Sequence, residues 1–293
     1  KLTSERDAKE LVGDDSSLNV DIRGPFLYRE GDETGEVYVK TLADLFADSK
    51  KDKEEDKYQS ALRGAGEEVM TDAGFSMLEN KLPSGKADKL RPPSHMPLSA
   101  LGDYRLRFDK LSIPKPGLVN TEERVGIGLK ERGGAGRSVE DGAFYVTPYS
   151  RLTDGVGLFC SVDKELRDGA INFGSEGKLV YLKKEGDGDK IETLLNASRA
   201  PLKAEIQKTK TFRLVLLQPG VFKSGWLPFD LSQKVYGLKL KLLSAFTGAP
   251  VRISGYSRLG NKATGEQKDV ALKQPVLAVP AGAVYLFSIE DGS

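Results

Sequence analysis

Basic side chains stand inside three glycine-rich segments of this sequence, and that combination suits the binding of anions. The segments are GIGLKERGGAGRSVEDGAFY (126–145), NFGSEGKLVYL (172–182) and PGVFKSGWLPF (219–229). Glycine lets backbone N–H groups approach a phosphate closely, and a neighbouring lysine or arginine supplies positive charge. Single-stranded RNA fits such a surface, with its phosphates on amides and cations and its bases on apolar faces. The alternative for each segment taken singly is that a hairpin turn uses glycine for backbone reasons alone.

The side chains most often used in catalysis are scarce. One histidine, His95, and one cysteine, Cys160, cannot build a Cys/His zinc cluster. His95 lies among prolines, where a surface or packing role is expected, and Cys160 is expected to be buried in VGLFCSVD. No G-x-S-x-G elbow or dinucleotide fingerprint occurs, and neither Gly-Lys pair precedes Ser or Thr as a phosphate loop requires. We expect no cofactor, no metal and no catalytic activity, although catalysis by tyrosine, lysine or carboxylates stays open.

The charge of the chain is unevenly distributed although its net value is only +1. Residues 1–70 carry 11 basic and 18 acidic side chains, whereas the remainder carries 33 basic and 25 acidic ones. A polyanionic partner is therefore possible for the later part of the chain, with a solvated surface as the alternative.

The length and composition are those of a soluble globular protein. The 293 residues, 39% of them hydrophobic, suffice for two ordinary domains or one large one. No run of about 18 apolar residues or signal peptide is present. The lone cysteine excludes an internal disulfide and indicates a reducing cytoplasm.

Hydrophobic periodicity predicts a mixture of strands and helices. LNVDIRGPFLYR predicts a strand with a bend at Gly24-Pro25, and VYVK predicts a short strand followed by a helical segment. GAFYVTPYSRL and GVGLFCSVD are expected to pair around residues 153–155, and KIETLLNASRAPLKAEIQ predicts a helix broken by Pro201. In GLKLKLL, Leu240 and Leu242 share a face with Leu238, as a half-buried strand requires. The expected class is α+β, with helices on antiparallel sheets.

The segment 219–229 allows two interpretations. It follows the apolar run TFRLVLLQ and contains Trp226, the only tryptophan. Either Trp226 only fills a core, or the bend presents its backbone and Lys223 to a partner.

Five motifs, taken in order, resemble one family. They are RGPFLYREGDETGEVYVKTLADLF, ERVGIGLKERGGAGRSVEDGAFYVTPYSRL, NFGSEGK, LVLLQPGVFKSGWLP and AVPAGAVYLF. The chain is similar to the RAMP superfamily of CRISPR proteins, and within it to the third subunits of the type III-B Cmr RNA-guided effector complex. The GWLP and VPAG elements are the specific ones. The family usually opens with a strand and a segment such as LFFRDGRPF, for which no counterpart precedes LNVDIRGPF, so we expect that first strand to be missing from this numbering.

The resemblance implies two tandem ferredoxin-like (RRM-type) domains with long insertions, at residues 1–208 and 209–293. It implies a non-catalytic role in holding the 5′ tag of a guide RNA. The implied neighbours are the large palm-domain subunit and a backbone RAMP subunit. The expected RNA-binding residues combine this resemblance with the glycine-rich segments: Lys130, Arg132, Arg137, Gly174, Ser175, Gly177, Lys178, Lys223, Ser224 and Gly225.

Three alternatives stay open at this point. A RAMP endoribonuclease that trims guide precursors would use His95 as its general base. A related RAMP subunit of another type III complex would share most of the motifs. An interaction module would use its sheets to bind only protein. The resemblance implies that Trp226 closes the core beside the bend, while Lys223 is the better RNA candidate.

Overall fold

The structure is a computed structural model of the chain. It describes residues 22–31, 35–47, 57–61, 67–70, 76–78, 92–106, 110–113, 116–129, 139–163, 165–172, 179–184, 190–197, 199–258 and 270–290.

Strands dominate the described part of the chain. They are β1 (Ile22–Arg29), β2 (Glu36–Lys40), β3 (Leu45–Ala47), β4 (Lys57–Ser60), β5 (Glu68–Met70), β6 (Ser76–Leu78), β7 (His95–Pro97), β8 (Lys110–Ser112), β9 (Val119–Leu129), β10 (Val139–Leu152), β11 (Val156–Val162), β12 (Gly169–Asn172), β13 (Leu179–Leu182), β14 (Thr211–Val215), β15 (Lys239–Phe246), β16 (Val251–Arg258), β17 (Val270–Ala278) and β18 (Val284–Glu290). The helices are α1 (Leu98–Leu106), α2 (Lys190–Ala197) and α3 (Arg199–Thr209).

The strands form antiparallel sheets of two to four members. One sheet has the order β11-β1-β2-β7, a second has the order β14-β18-β15, and a third has the order β3-β4-β8. The pairs β9–β10, β12–β13, β16–β17 and β5–β6 are separate hairpins. Helices and antiparallel sheets together make the fold α+β, as the sequence predicts. The finer prediction of tandem ferredoxin-like domains stays a prediction.

The last strand is covered on both faces. Val284 and Leu286 join a core cluster that includes Val37 and Val39 of β2, whereas Tyr285 and Phe287 belong to a second cluster. Because side chains alternate along a strand, one strand can close two cores only if its apolar residues run without interruption. The run VYLF meets that requirement, with each side chain at most 6% exposed. Residues before and after position 208 thus share the first core, and the proposed domain boundary stays a prediction.

A buried polar group links the early segment to β14. Asp44 is fully buried, and its Oδ2 accepts hydrogen bonds from the Ser60 hydroxyl (2.5 Å) and the Tyr104 hydroxyl (2.7 Å). The guanidinium carbon of Arg213 lies 5.0 Å from the centre of the Tyr104 ring. Burial raises the pKa of Asp44, and the two hydrogen bonds and the charge of Arg213 oppose that rise.

Two sequence-based predictions on strands and helices are wrong. The segment after VYVK forms β3 and β4 where it is described, instead of a helix. Leu45 and Tyr58 there are each 2% exposed, so burial within a sheet overrides the helical tendency of the local sequence. GAFYVTPYSRL and GVGLFCSVD do not pair with each other: β10 pairs with β9, and β11 pairs with β1. The predicted turn between them is present, with Gly155 at a φ of 71°.

Two further predictions need correction. The break in the helical region falls between α2 and α3, while Pro201 lies in the first turn of α3. Proline is tolerated there because the first N–H groups of a helix have no partner within the helix. Cys160 is exposed, because its neighbour Phe159 packs against the first core cluster and successive side chains of a strand point to opposite faces.

Candidate nucleic-acid interface

The bend that follows β14 is held to the turn preceding β18. Gly220 and Val279 exchange backbone hydrogen bonds, from the Gly220 N–H to the Val279 oxygen (2.9 Å) and from the Val279 N–H to the Gly220 oxygen (2.8 Å). Upstream, the Leu216 N–H donates to the Ala283 oxygen (2.9 Å), and the Gly282 N–H donates to the Leu216 oxygen (2.7 Å). Pro219 therefore breaks the sheet pairing only briefly, and the chain leaves the strand along a fixed path.

Aromatic side chains pack the bend onto β18. The Trp226 ring stacks on Tyr285, with a centroid distance of 6.3 Å and an interplanar angle of 9°. The Tyr285 hydroxyl donates a hydrogen bond to the Trp226 carbonyl oxygen (2.6 Å). Phe229 lies 5.8 Å from Phe287 in the same cluster. The core-filling interpretation of Trp226 is therefore confirmed.

The segment between these anchors is displayed to solvent. Lys223, Ser224 and Gly225 are all exposed, in a tight turn where Phe222 bridges to Gly225 and Ser224 bridges to Leu227. Gly225 has a φ of 71°, which a side chain would strain. A cation, a hydroxyl and backbone are thus presented together on a rigid base, which can contact a phosphate group. Contact of Lys223 with a partner stays a prediction.

The bend also contacts the early part of the chain. Gln218 donates a hydrogen bond from Nε2 to the carbonyl oxygen of Gly24 (2.5 Å), at the bulge of β1. The Gly282 carbonyl oxygen accepts a hydrogen bond from the Ala43 N–H (2.8 Å). The VPAG motif is therefore bonded to the bend that contains GWLP, and the bend is bonded to the first sheet, which fixes the position of the turn at Lys223.

The other predicted RNA-binding residues lie outside the described part of the chain. They are Lys130, Arg132, Arg137, Gly174, Ser175, Gly177 and Lys178. The flanking strands are described: Leu129 pairs with Val139, and Asn172 pairs with Leu179. Residues 130–138 and 173–178 thus each connect the two strands of a hairpin, as the sequence predicts for these glycine-rich segments.

His95 lies in β7. It is half-buried, pairs with Lys40 across the sheet, and places Nδ1 3.0 Å from the Ser94 hydroxyl. Burial lowers the pKa of His95, and the charge of Lys40 lowers it further. The ring is therefore neutral at pH 7. Among the described residues, no group of three His, Cys, Asp or Glu side chains is arranged to hold a metal ion.

The hairpin β9–β10 exposes an apolar face that sequence reasoning missed. Phe144 pairs with Ile127 and Val146 pairs with Val125, so all four side chains lie on one face. They are between 48% and 64% exposed. The alternation of V-x-I and F-x-V was a usable signal, but alternation does not tell whether the apolar face is covered by the same chain.

Comparison with known proteins decides between the interpretations at the level of family. Residues 3–293 match the model of the family described as CRISPR-associated protein (Cas_Cmr3). The chain belongs to this family. The Cas_Cmr3 match spans the GWLP and VPAG elements and all three glycine-rich segments, so the resemblance stated from the motifs is confirmed.

A solved structure is also similar to this Cas_Cmr3 chain. It is a chain of a cryo-EM structure described as the type III-B Cmr-beta bound to cognate target RNA, with 12% sequence identity and a TM-score of 0.44. The match covers 91% of the present chain and 65% of that chain. A comparison with curated proteins gives no match. No helix in the described ranges is long and apolar enough to cross a membrane.

Proposed function

We propose that this Cas_Cmr3 chain is a non-catalytic subunit of a type III-B CRISPR ribonucleoprotein in the cytoplasm. In that particle it binds the 5′ tag of the guide RNA and docks the large palm-domain subunit, with a backbone RAMP subunit as its other neighbour. The particle serves defence against foreign nucleic acid. Two tandem ferredoxin-like domains are the fold that accompanies this role.

One observation carries the RNA-binding part of the proposal. The turn at Lys223 is exposed, yet its base is fixed by the paired backbone bonds of Gly220 and Val279 and by the stacking of Trp226 on Tyr285. Because the backbone that carries Lys223 is already fixed, little backbone conformational entropy is lost when an RNA phosphate binds there. Flexible surface lysines lack that advantage.

The docking part rests on the apolar face of the hairpin β9–β10. Four large apolar side chains on one exposed sheet face are unusual for a protein that acts alone, and they are typical of a protein–protein contact. We assign this face to the large subunit. A two-stranded hairpin is only marginally stable in water, so a partner that covers one face also stabilises the hairpin itself.

The test measures binding of the purified chain, alone and with its large-subunit partner, to guide RNA with the native tag and with a scrambled tag. We expect tighter binding to the native tag and a strong dependence on salt. Lys223→Ala should weaken binding and reduce the slope of log K against log salt by about 0.7, the value for one phosphate contact in single strands. Lys203→Ala, which removes an exposed charge on α3, should leave the slope unchanged.

Three outcomes would contradict parts of the proposal. Equal affinity for the native and the scrambled tag would exclude a tag-specific role. Cleavage of guide precursors that is lost with His95→Ala would indicate an endoribonuclease instead. Unchanged binding and crosslinking of RNA with Lys223→Ala and with Lys178→Ala would favour a module that binds only protein.

A further inference from the structure

A tyrosine occupies a backbone position that normally belongs to glycine or asparagine. Val235 and Leu238 exchange two hydrogen bonds, of 2.9 and 3.0 Å, and enclose a two-residue turn. Both central residues have positive φ, 49° at Tyr236 and 82° at Gly237. This is the type I′ pattern, for which Asn-Gly is the favoured sequence. A residue with a β-carbon other than asparagine or aspartate is disfavoured at the first position.

No packing contact in the described fold compensates for the backbone strain at Tyr236. Its side chain is 96% exposed, so the ring contributes almost nothing to either core. Lys210 is the other described non-glycine residue with positive φ (55°), and it directly follows α3, where a residue in the left-handed conformation commonly ends a helix. Tyr236 has no comparable explanation. Strained residues that contribute nothing to packing are concentrated at functional sites.

The turn forms one wall of a basic cavity. The cavity has a volume of about 220 Å³ and lies where α3, β15 and the end of β18 meet. Its charged lining residues are Lys210, Lys234, Lys239 and Glu290. Lys239 Nζ lies 3.0 Å from Glu290 Oε2, so the single acidic group is already neutralised by one lysine. The lining therefore carries an excess of positive charge that suits an anion.

The size of the cavity restricts the class of ligand. Pockets that enclose a small organic ligand measure about 300–1,000 Å³, which is larger than this one. A cavity of this size fits one anionic unit of a longer chain and leaves the rest of the chain outside. Tyr236 is not part of the lining, but it directly precedes the lining residue Gly237 in the chain. An aromatic side chain next to a cationic cavity matches a nucleotide, with the phosphate at the lysines and the base on the ring. An acidic peptide would use the lysines but has no need of a strained, exposed ring.

We propose that the cavity and Tyr236 form a second, sequence-independent site for one nucleotide of single-stranded RNA. The site is separate from the turn at Lys223. That turn lies near the start of β18 and the cavity at its end, and a strand of this length spans about 20 Å. The two sites therefore contact different nucleotides of a bound strand.

The test uses a fluorescent oligouridine of about 12 nucleotides, which has no tag sequence, and measures its anisotropy with the full chain at several salt concentrations. Tyr236→Asn removes the ring and places the favoured residue at this turn position. We expect an unchanged or higher Tm together with a Kd raised roughly 5- to 150-fold, the range for one base stacked on an aromatic side chain. Tyr236→Phe keeps the ring and should retain binding.

Charge variants test the cavity itself. Lys234→Gln should reduce the salt slope by about 0.7. Arg199→Gln, at the opposite end of α3 from the cavity, should leave the salt slope unchanged. An unaltered Kd for Tyr236→Asn at unchanged or higher Tm would overturn the proposal. So would a loss of binding to the large subunit with oligouridine affinity intact, because the turn would then be a protein contact. Because the probe carries no tag, failure of the tag-specific role leaves this result unaffected.

Discussion

Gly282 lies directly against the backbone of Thr41: a β-carbon on Gly282 would come within 2.4 Å of the Thr41 carbonyl oxygen. The φ of Gly282 is 88°, a conformation that side chains also disfavour. Two independent reasons therefore require glycine at this position of the VPAG motif. The contact holds the start of β18 against the segment that leads into β3.

Gly282→Ala should destabilise the protein by about 2–4 kcal/mol. Positive φ costs roughly 1–3 kcal/mol for a residue with a β-carbon, and overlap with a backbone oxygen forces a further shift. Gly155→Ala is the matched control, since its φ is 71° and open space surrounds the added carbon. It should cost only about 1 kcal/mol. Urea denaturation measures both, and equal losses would contradict the close approach to Thr41.

The buried carboxyl group of Asp44 should make stability depend on pH in a defined direction. Its pKa is raised in the folded state, chiefly by burial. Between its ordinary pKa, about 4, and the raised value, the unfolded chain is ionised while the folded chain keeps the proton. Rising pH therefore removes stability through this group. The stability of Asp44→Asn relative to the unmodified chain should rise across this window, measured by denaturant unfolding. A difference in stability between the two proteins that stays constant with pH would contradict a raised pKa of Asp44.

Tyr285→Phe should loosen the bend that carries Lys223. The change removes the hydrogen bond to the Trp226 carbonyl, at a cost of about 1–2 kcal/mol. Burial raises the pKa of Tyr285 to about 12. Above pH 10 the unfolded chain loses a proton that the folded chain keeps, so stability falls toward pH 12, and the variant should show a smaller fall. Tyr181→Phe, on an exposed side chain, should change neither quantity.

Phe144→Ser should weaken association with the large subunit while leaving the chain folded. The side chain is 64% exposed, so its loss should change the free energy of unfolding by no more than about 0.5 kcal/mol. An aromatic anchor in a contact typically contributes more than about 1 kcal/mol, which corresponds to roughly a fivefold or larger increase in Kd. Thr147→Ala, on the opposite face of β10, is the control. Equal effects of the two changes on affinity would exclude this face as the contact.

Patterns in the local sequence predicted those features that depend only on residues close together in the chain. The alternation in GLKLKLL predicted one buried face with Leu238, Leu240 and Leu242. Leu240 and Leu242 are 6% and 1% exposed, whereas Leu238 lies in the turn before β15 and is 46% exposed. Gly155 predicted the turn between β10 and β11, because a positive φ needs no partner elsewhere in the chain. The family motifs predicted one long-range feature. VPAG is bonded to the bend that contains GWLP, although about 55 residues of sequence separate the two motifs.

Predictions that depended on distant residues were less successful. The segment at Leu45 and Tyr58 has charged neighbours typical of an exposed helix, and only its pairing in the sheet β3-β4-β8 makes it extended. The pairing of β10 with β9 rather than β11 depends on the long hairpin that precedes residue 153. The cavity beside Tyr236 could not be predicted, because it needs α3, β15 and β18 together.

The double-sided burial of β18 has a consequence for how the protein is made. Synthesis proceeds from the N-terminus, and domains generally fold as they emerge. Here the strand at the middle of a sheet, which completes both apolar interiors, leaves the ribosome after every other described strand and helix. A nascent chain that stops before Val284 keeps two unfinished interiors and two unpaired strand edges, and it exposes the surfaces that chaperones and proteases recognise.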